Sequence, residues 1–545
     1  MQIAISQLNY TIGDIDGNTR KIIGEIAKAK NEKADLIVFS ELAVCGYPPK
    51  DLLDYPHFIE RCELAIHEIG SQSEGIGVIV GAPSWSRLKK GKRLFNSAYF
   101  FENKKLINRV DKTLLPTYDV FDEYRYFEPN KKFECVPFRG EMMAITICED
   151  LWNLDEPKLY GITPMEELMR DNPTIMVNLS GSPYSYNQVE KRRKRMQENA
   201  KKYNLPLLYV NQVGGNTDIL FDGGSMLINK NGDIAEEAAF YKEDFKIVNW
   251  SSQAVYPDSH SEYYDYDIAL IHDALLMGIR DYFNKMGFKK AILGSSGGID
   301  SAVVHALATK ALGGEQVKAI MMPSKYSSKG SISDAVSLAN NLNSPHSIIP
   351  INVVYDAFNT TLTDEFDGTK LDVTEENIQA RSRGLILMAI SNKYGHILLN
   401  TSNKSESAVG YSTLYGDMCG GLSVIGDLYK EQVYELARYM NRNEMLIPQE
   451  IIDKEPSAEL RPDQKDSDSL PPYPLLDKIL FHYIEEKKGW KDIVSMGIDE
   501  STVRRIITLV DKNEYKRFQA PPTLRISHKA FGIGRQMPIV ARYDH

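Results

Sequence analysis

The stretch "KAILGSSGGIDSAVVHALATKAL", residues 290–312, decides the architecture of the second half of the chain. Residues 291–293 form a short apolar run that reads as a strand. A loop of small residues follows, Gly294, Ser295, Ser296, Gly297 and Gly298, and opens directly into a helical pattern at Ile299, Asp300 and Ser301. Glycines let backbone N–H groups approach an anion closely, and the helix N-terminus adds its dipole, so the loop suits a phosphate. The Lys-Ser/Thr pair of a Walker A loop and the G-x-G-x-x-G dinucleotide pattern are both absent. The plain alternative is a generic tight strand–helix turn. Two serines, two glycines and an aspartate in this register speak against it.

Outward from this unit, "QVKAIMMPS" (316–324), "HSIIPIN" (346–352) and "GHILLNTSN" (395–403) read as further strands alternating with helices, which predicts a parallel sheet. A long amphipathic helix begins at 268. The first half also alternates, with strand-like runs at 2–8, 34–42, 77–83, 96–101, 142–148, 173–180, 206–212 and 224–230, and a helical pattern over 18–33. Asn231-Gly232 within "MLINKNGDIAEEA" predicts an antiparallel hairpin, so this half is α/β with both crossovers and hairpins. Between 250 and 266 the chain turns polar, acidic and aromatic without period, which places domains at 1–255 and 256–545. The polar, proline-rich stretch 455–474 is long for a connection and reads as a substrate-facing loop or lid.

With 545 residues, 43% hydrophobic and 25% charged, the chain has the composition of an ordinary globular protein. Its net charge of −10 argues against a nucleic-acid or anionic-membrane partner. The one basic run, "EKRRKRMQENAKK" (190–202), reads as the solvated face of a helix. Five cysteines, Cys45, Cys62, Cys135, Cys148 and Cys419, form no C-x-x-C pair, which argues against a disulfide framework or a zinc site and suits a reducing cytoplasm. The N-terminal residues lack a signal-peptide pattern, and no apolar run approaches the roughly 18 residues of a membrane span.

The loop "SGGIDS" resembles the pyrophosphate loop of ATP pyrophosphatases, enzymes that split ATP between its α and β phosphates. An acid inside such a loop, Asp300, makes sense when Mg²⁺ screens it from the phosphates. With "MMPSKYSSKGSISDA" (321–335), "ENIQARSRG" (376–384), "NTSNKSESAVGYSTLYGDMCGG" (400–421), "PSAELRPDQKDSDSLPPY" (456–473) and "RISHKAFGIGRQMPI" (525–539), residues 265–545 resemble the NAD⁺ synthetases. The resemblance implies a three-layer, Rossmann-like α/β/α domain that amidates deamido-NAD⁺. It implies that Gly294, Ser295, Ser296, Gly297, Gly298, Ile299, Asp300, Ser301 and Thr401 hold ATP. Asn377, Glu406 and Lys529 would contact deamido-NAD⁺, with Asp300 and Glu406 as Mg²⁺ ligands. Arg381, Arg383, Lys404 and Lys529 are available to neutralise two anionic nucleotides, although each alone could be a surface cation. Val424 stands where family members often carry proline.

Amidation needs nitrogen, and the first half offers a source. "FSELAVCGYP" (39–48), "RVDKTLLPTYDVFDEYRYF" (109–127) and "ICEDLW" (147–152) resemble the nitrilase superfamily, whose fold is an αββα sandwich and whose triad maps onto Glu41, Lys112 and Cys148. The resemblance covers residues 1–250. Cys148 would attack the glutamine amide, Glu41 would move the proton, and Lys112 would place a positive charge beside thiolate and oxyanion. The Glu149 N–H is a second oxyanion donor on this reading, and Glu123 an additional acid of the site. Lys112 would also offset the acidic Glu149 and Asp150, which otherwise raise the thiol pKa. Taken alone, Cys148 reads as a core cysteine, and Cys45 is a competing nucleophile in a loop context. For glutamine itself the resemblance points to Tyr118, Ser182 and Gln188, the last where relatives carry Arg or Lys, so that Lys191 could assist instead. A sheltered passage would deliver ammonia unprotonated to the synthetase centre, and a homo-oligomer is expected. Together these resemblances imply an ATP-dependent ligase fed with nitrogen by glutamine. The rivals are another pyrophosphate-loop amidotransferase, a tRNA-modifying member of that group, disfavoured by the acidic charge, and a nucleotide-binding regulator without catalysis.

Overall fold

The computed structural model describes residues 1–250, 268–462 and 464–543. These fall into two compact units, one before and one after the segment in which the sequence places the boundary. The predicted junction at 255/256 itself lies outside the described residues.

The first unit contains β1 (Gln2–Gln7), β2 (Leu36–Val38), β3 (Gly77–Trp85), β4 (Leu94–Glu102), β5 (Lys105–Asp111), β6 (Val136–Phe138) and β7 (Glu141–Ile147). It continues with β8 (Ile175–Ser180), β9 (Leu207–Asn211), β10 (Val213–Asn216), β11 (Ile219–Asp222), β12 (Met226–Ile228), β13 (Ile234–Glu237) and β14 (Asp244–Asn249). Two six-stranded sheets result, in the orders β14-β1-β2-β3-β4-β5 and β13-β12-β9-β8-β7-β6. Their inner faces share one core, in which Ile3, Leu36, Val38, Ile79 and Phe100 of the first sheet meet Met143, Ile145, Ile147, Val177 and Leu208 of the second. The period-2 alternation of β7 is visible in this packing. Met143, Ile145 and Ile147 point inward, while Ala144 packs on the outer side with Met165, Leu168, Met196 and Ala200. Helices α1 (Ile15–Asn31) and α2 (Pro56–Ser71) back the first sheet, and α3 (Pro164–Leu168) and α4 (Gln188–Tyr203) back the second. The unit is therefore the expected αββα sandwich. The Asn231-Gly232 hairpin forms between β12 and β13, with Gly232 at φ +91°.

One expectation is corrected here. The basic run of α4 is not a uniformly solvated face. Lys191 and Lys194 are exposed, but Arg192 and Arg193 are buried against the sheet. Arg192 pairs with Asp222 at 2.5 Å and Arg193 with Glu237 at 2.6 Å. The helix lies flat on β9 and β12, so part of any unbroken charged run must face inward, where each cation needs a carboxylate.

The second unit has a five-stranded sheet, all parallel, of β15 (Ala291–Gly294), β16 (Val317–Met321), β17 (His346–Ile348), β18 (Ile397–Asn400) and β19 (Leu422–Ser423), in the order β17-β16-β15-β18-β19. Helices α5 (Ile268–Met286), α6 (Ile299–Leu312), α7 (Lys329–Asn341), α8 (Asn352–Thr361) and α9 (Val373–Tyr394) cover it. Met321 and Ala319 pack on α7 through Ala335 and Ala339, while Ile292, Ile320 and Leu398 pack on α9 through Leu387. Sequential crossovers run from β15 toward β16 on one side, and β18 lies on the other. The strand order therefore reverses at β15. Open parallel sheets bind ligands at the carboxyl ends of strands flanking such a reversal, and residues 294–301 lie there. Short α10 (Lys404–Val409) and α11 (Lys430–Met440) complete the surroundings of that end.

Candidate active sites

In the first unit the three nitrilase-type residues all sit at strand ends. Glu41 lies just beyond β2, Lys112 directly follows β5, and Cys148 directly follows β7. All are buried, Glu41 and Lys112 completely. Lys112 Nζ lies 2.7 Å from Glu41 Oε1 and 2.8 Å from Glu123, so one ammonium bridges two carboxylates. Tyr47 donates its hydroxyl to Glu123 Oε1 at 2.8 Å. Glu41 receives two further donors, Asn96 Nδ2 on Oε1 at 2.7 Å and the Gly181 N–H on Oε2 at 2.9 Å. Gly81 makes room for this loop, because a Cβ there would lie 2.5 Å from the Leu42 nitrogen and 2.6 Å from the Ser40 carbonyl.

Cys148 takes a left-handed conformation, φ +43°, and opens the 3₁₀ turn Cys148–Leu151. This is a costly backbone for a residue with a Cβ, and such strain gathers at functional positions. Asp150 holds the turn in place. Its Oδ1 accepts the N–H groups of Thr113 and Leu114 at 3.0 and 2.8 Å, and its Oδ2 accepts that of Ile147 at 3.0 Å. One carboxylate thus fastens the residue before Cys148 to the two residues after Lys112. Burial pushes the Asp150 carboxyl up to about 6.

The electrostatics refine the sequence reading. Burial pushes the Cys148 thiol well above its usual range, the Glu41 charge adds to that, and Lys112 pulls only part of the way back. The Lys112 ammonium would itself be lowered by burial, but Glu123 and Glu41 hold it well above its ordinary value. A cation shared between two anions offsets only part of the rise in the thiol, so ionising Cys148 calls for a base beside it.

The sequence reading gave the Glu149 side chain only a charge that Lys112 would offset; the structure gives it partners of its own. It is buried, accepts the hydroxyls of Tyr118 at 2.9 Å and Tyr160 at 3.0 Å, and is pushed up to about 7 by burial. It also adds to the negative charge felt by Cys148. Tyr118, predicted for glutamine, is thereby brought to the nucleophile's neighbour. Ser182 is buried, and Asn211 grips both sides of its backbone, accepting its N–H at 2.9 Å and donating to its carbonyl at 3.2 Å. Gln188 is half-buried at the first position of α4. Cys45, the competing nucleophile, is fully buried with its thiol on the Leu42 and Gly46 carbonyls.

In the second unit a cavity of about 670 Å³ opens at the reversal point. Its wall includes Gly294, Ser295, Ser296, Gly298, Ile299, Asp300 and Ser301, together with Asn377, Thr401 and Glu406. Glu455, Pro456 and Ser457 also line it, so part of the stretch expected to face substrate does so. Gly297 stands at φ +78°, and a Cβ on it would lie 2.2 Å from the Ser331 carbonyl, so only glycine fits. The Ser295 hydroxyl is buried with no partner among the described residues. Ser296 and Ser301 hydroxyls lie 3.2 Å apart in front of α6.

Lys430 is a site residue the sequence reading missed. It is buried, 2.5 Å from Asp300 Oδ2 and 3.3 Å from Glu406 Oε1, and so bridges the two carboxylates expected to hold metal. Burial would lower its ammonium, but Asp300 and Glu406 raise it. Glu406 is pushed up to about 8 by burial and then by the Asp300 charge. No local signal in the sequence distinguishes Lys430, which lies 130 residues from Asp300. Arg381 and Arg383 line the cavity, with the Arg383 guanidinium on the Met322 carbonyl at 3.0 Å and lowered to about 10 by burial. Lys404 corrects an expectation. It does not neutralise nucleotide but is fully buried between Asp427 and Glu485, each at 2.9 Å. Lys529 does not line the cavity; it lies on the C-terminal segment beyond Ser527.

Comparison with known proteins agrees with both halves. The Carbon-nitrogen hydrolase family matches residues 2–257 and the NAD synthase family residues 271–520. The glutamine-dependent NAD(+) synthetase of Synechocystis sp. is 44% identical over 99% of this chain and 99% of its own length. That of Acinetobacter baylyi is 41% identical over 99% and 98%. The structure of the glutamine-dependent NAD⁺ synthetase from Acinetobacter baumannii in complex with ADP superposes with a TM-score of 0.79 at 39% identity, covering 99% of this chain and 98% of that one.

Proposed function

This chain belongs to the glutamine-dependent NAD⁺ synthetases, ATP-dependent ligases that take nitrogen from glutamine, and from that premise we propose how its own residues divide the work. Cys148 Sγ attacks the side-chain amide carbon of glutamine while Glu41 takes the thiol proton. Lys112 and the Glu149 N–H face the oxyanion. Glu41 returns the proton to the leaving nitrogen, ammonia departs, and a thioester remains. Water, deprotonated by Glu41, cleaves that thioester to glutamate. The observation that carries this is the fully buried 2.7 Å contact of Lys112 with Glu41, at strand ends shared with a strained Cys148. Tyr118, Ser182 and Gln188 hold glutamine on this reading. The buried Glu149 carboxylate, already facing two tyrosine hydroxyls, is suited to the α-ammonium group.

In the second unit, the loop from Gly294 to Ser301 and Thr401 receive ATP, while Asn377, Glu406 and Lys529 receive deamido-NAD⁺. The nicotinate carboxylate is adenylated with loss of pyrophosphate, and ammonia displaces AMP. Asp300 and Glu406 would hold Mg²⁺. Their carboxylate oxygens are the hard donors that ion takes, and the Lys430 ammonium that now pairs with both would share them with it. Among the described residues no cluster of three metal-ligating side chains stands ready, so substrate phosphates would complete the shell. When bound, Mg²⁺ supplies charge neutralisation at the phosphates. Lys430 and the N-terminus of α6 act on the same charge from the protein side. We further propose domains at 1–255 and 256–545, a sheltered route for ammonia, and a homo-oligomer. Val353, Phe358 and Leu385 on α8 and α9 are exposed apolar side chains that a second copy could cover.

The test is Cys148→Ala assayed with two nitrogen donors. NAD⁺ formation from glutamine should vanish, and formation from ammonium salts should stay within about twofold of the unaltered chain. Loss of both would defeat the division of labour.

A further inference from the structure

Lys404 serves neither chemistry directly, yet it is one of the largest fully buried side chains. It is the first residue of α10, and its ammonium meets three partners from three elements. Asp427 Oδ1 lies at 2.9 Å, Glu485 Oε1 at 2.9 Å and Ser527 Oγ at 2.8 Å. Asp427 belongs to the turn before α11, Ser527 to the C-terminal segment, and Glu485 closes the π-helical turn Phe481–Glu485. A π-turn is rare and weakly bonded, and it is found mostly where function needs a residue re-aimed.

Asp427 repeats the grip. Its Oδ2 accepts the N–H groups of Ile526 and Ser527 at 2.8 and 2.7 Å, and its Oδ1 accepts the Ser527 hydroxyl at 2.7 Å. Lys529 follows two residues later. On the other side, Asn403 caps α10 by accepting the Glu406 N–H at 2.9 Å and donates Nδ2 to Asp300 Oδ1 at 2.9 Å. Asp300 in the pyrophosphate loop is thus linked by a hydrogen bond to Asn403, by the backbone to Lys404, by an ion pair to Asp427, and by hydrogen bonds to the backbone that carries Lys529.

We propose that Lys404 and Asp427 are positioning residues that fix the C-terminal segment, and with it Lys529, at a set distance from the pyrophosphate loop, so that they govern affinity for deamido-NAD⁺ rather than for ATP. This rests on the reading that Lys529 contacts deamido-NAD⁺. A bulk structural ion pair would behave differently, because its loss would weaken both nucleotides together. Here the cation joins the binding segment to the loop, and its loss releases only the segment. Asp427 and Glu485 would be left as two buried anions with no shared counter-charge, and the elements that carry them would move apart.

The experiment uses the full chain with ammonium as nitrogen donor, so that only the synthetase reaction is read. KM is measured separately for deamido-NAD⁺ and ATP in Asp427→Asn, Ser527→Ala and Lys529→Ala. Asp427→Asn should raise KM for deamido-NAD⁺ by about tenfold or more and leave that for ATP within about twofold. Ser527→Ala, which deletes only a hydroxyl, should give about a threefold rise with the same selectivity, and it carries the test if Asp427→Asn does not fold. The clamp is overturned if Lys529→Ala raises KM for deamido-NAD⁺ while Ser527→Ala leaves it unchanged or raises both constants equally. If Lys529→Ala itself leaves that KM unchanged, the assignment of Lys529 falls and the clamp with it.

Discussion

Asn96 and Lys112 hold the same oxygen of Glu41. Asn96 Nδ2 and Lys112 Nζ both lie 2.7 Å from Oε1, while among the described residues Oε2 takes only the Gly181 N–H. The carboxylate is thereby locked in rotation, with the less encumbered oxygen left for proton transfer. Removing Asn96 leaves the charge balance intact but frees the rotation. In Asn96→Ala, glutamine-dependent kcat should fall about 10- to 100-fold with ammonium-dependent synthesis unchanged. Parallel steady-state assays with the two donors check this, and equal loss in both would show that Asn96 merely supports the fold.

Asp150→Asn should destabilise the first unit by about 1–3 kcal/mol. An amide offers one acceptor oxygen to three N–H groups now shared by two, and turns an N–H₂ toward a donor. Denaturant unfolding measures it. An unchanged midpoint would mean that the turn at Cys148 is held by other contacts.

Glu149 predicts a pH dependence of known sign. Its native value of about 7 lies above the ordinary 4.5, so the folded chain binds this proton more tightly than the unfolded one. The stability it lends is complete below about pH 4.5 and is lost as pH rises through about 7, with a ceiling of about 3 kcal/mol. Glu149→Gln has no proton to lose. Its unfolding free energy should therefore gain on that of the unaltered chain between pH 5 and 8, and curves that stay parallel across this window would refute the assignment.

Asp300→Ala should reduce NAD⁺ formation by at least about 10³-fold with either nitrogen source, since the step it serves lies downstream of both. Substantial activity with ammonium would remove Asp300 from the metal and phosphate site.

Gly297→Ala should both destabilise the chain and weaken ATP. A methyl group would sit 2.2 Å from the Ser331 carbonyl at a φ of +78°. The strain is about 2 kcal/mol or more, and relief requires the pyrophosphate loop to move. Calorimetric melting and KM for ATP should shift together. A normal KM with a lowered melting temperature would separate the turn from nucleotide binding.

Sequence and structure agree wherever local pattern and burial point the same way. Strands β1, β3, β8 and β9 and the phosphate loop were legible, because almost entirely buried strands read as largely apolar runs. Edge strands β5, KLINRVD, and β14, DFKIVN, were not, since their half-exposed faces carry charges that blur the alternation. Helix α1 begins at Ile15, three residues before the periodic pattern, because Asp14 caps it through the Gly17 N–H. At the sites, residues within quotable motifs could be read. Lys430 and the buried placement of Lys404 could not, because each acts through partners far along the chain. Lys430 reaches back 130 residues to Asp300, a distance no spacing rule spans.

The raised thiol of Cys148 carries a consequence for chemical durability. Thiolates attack peroxides and disulfides, and a buried sulfhydryl whose carboxylate neighbours oppose ionisation offers them little. Idle molecules should thus withstand oxidants that inactivate enzymes with a preformed thiolate. Vulnerability would be confined to the brief interval of turnover in which Glu41 carries the proton.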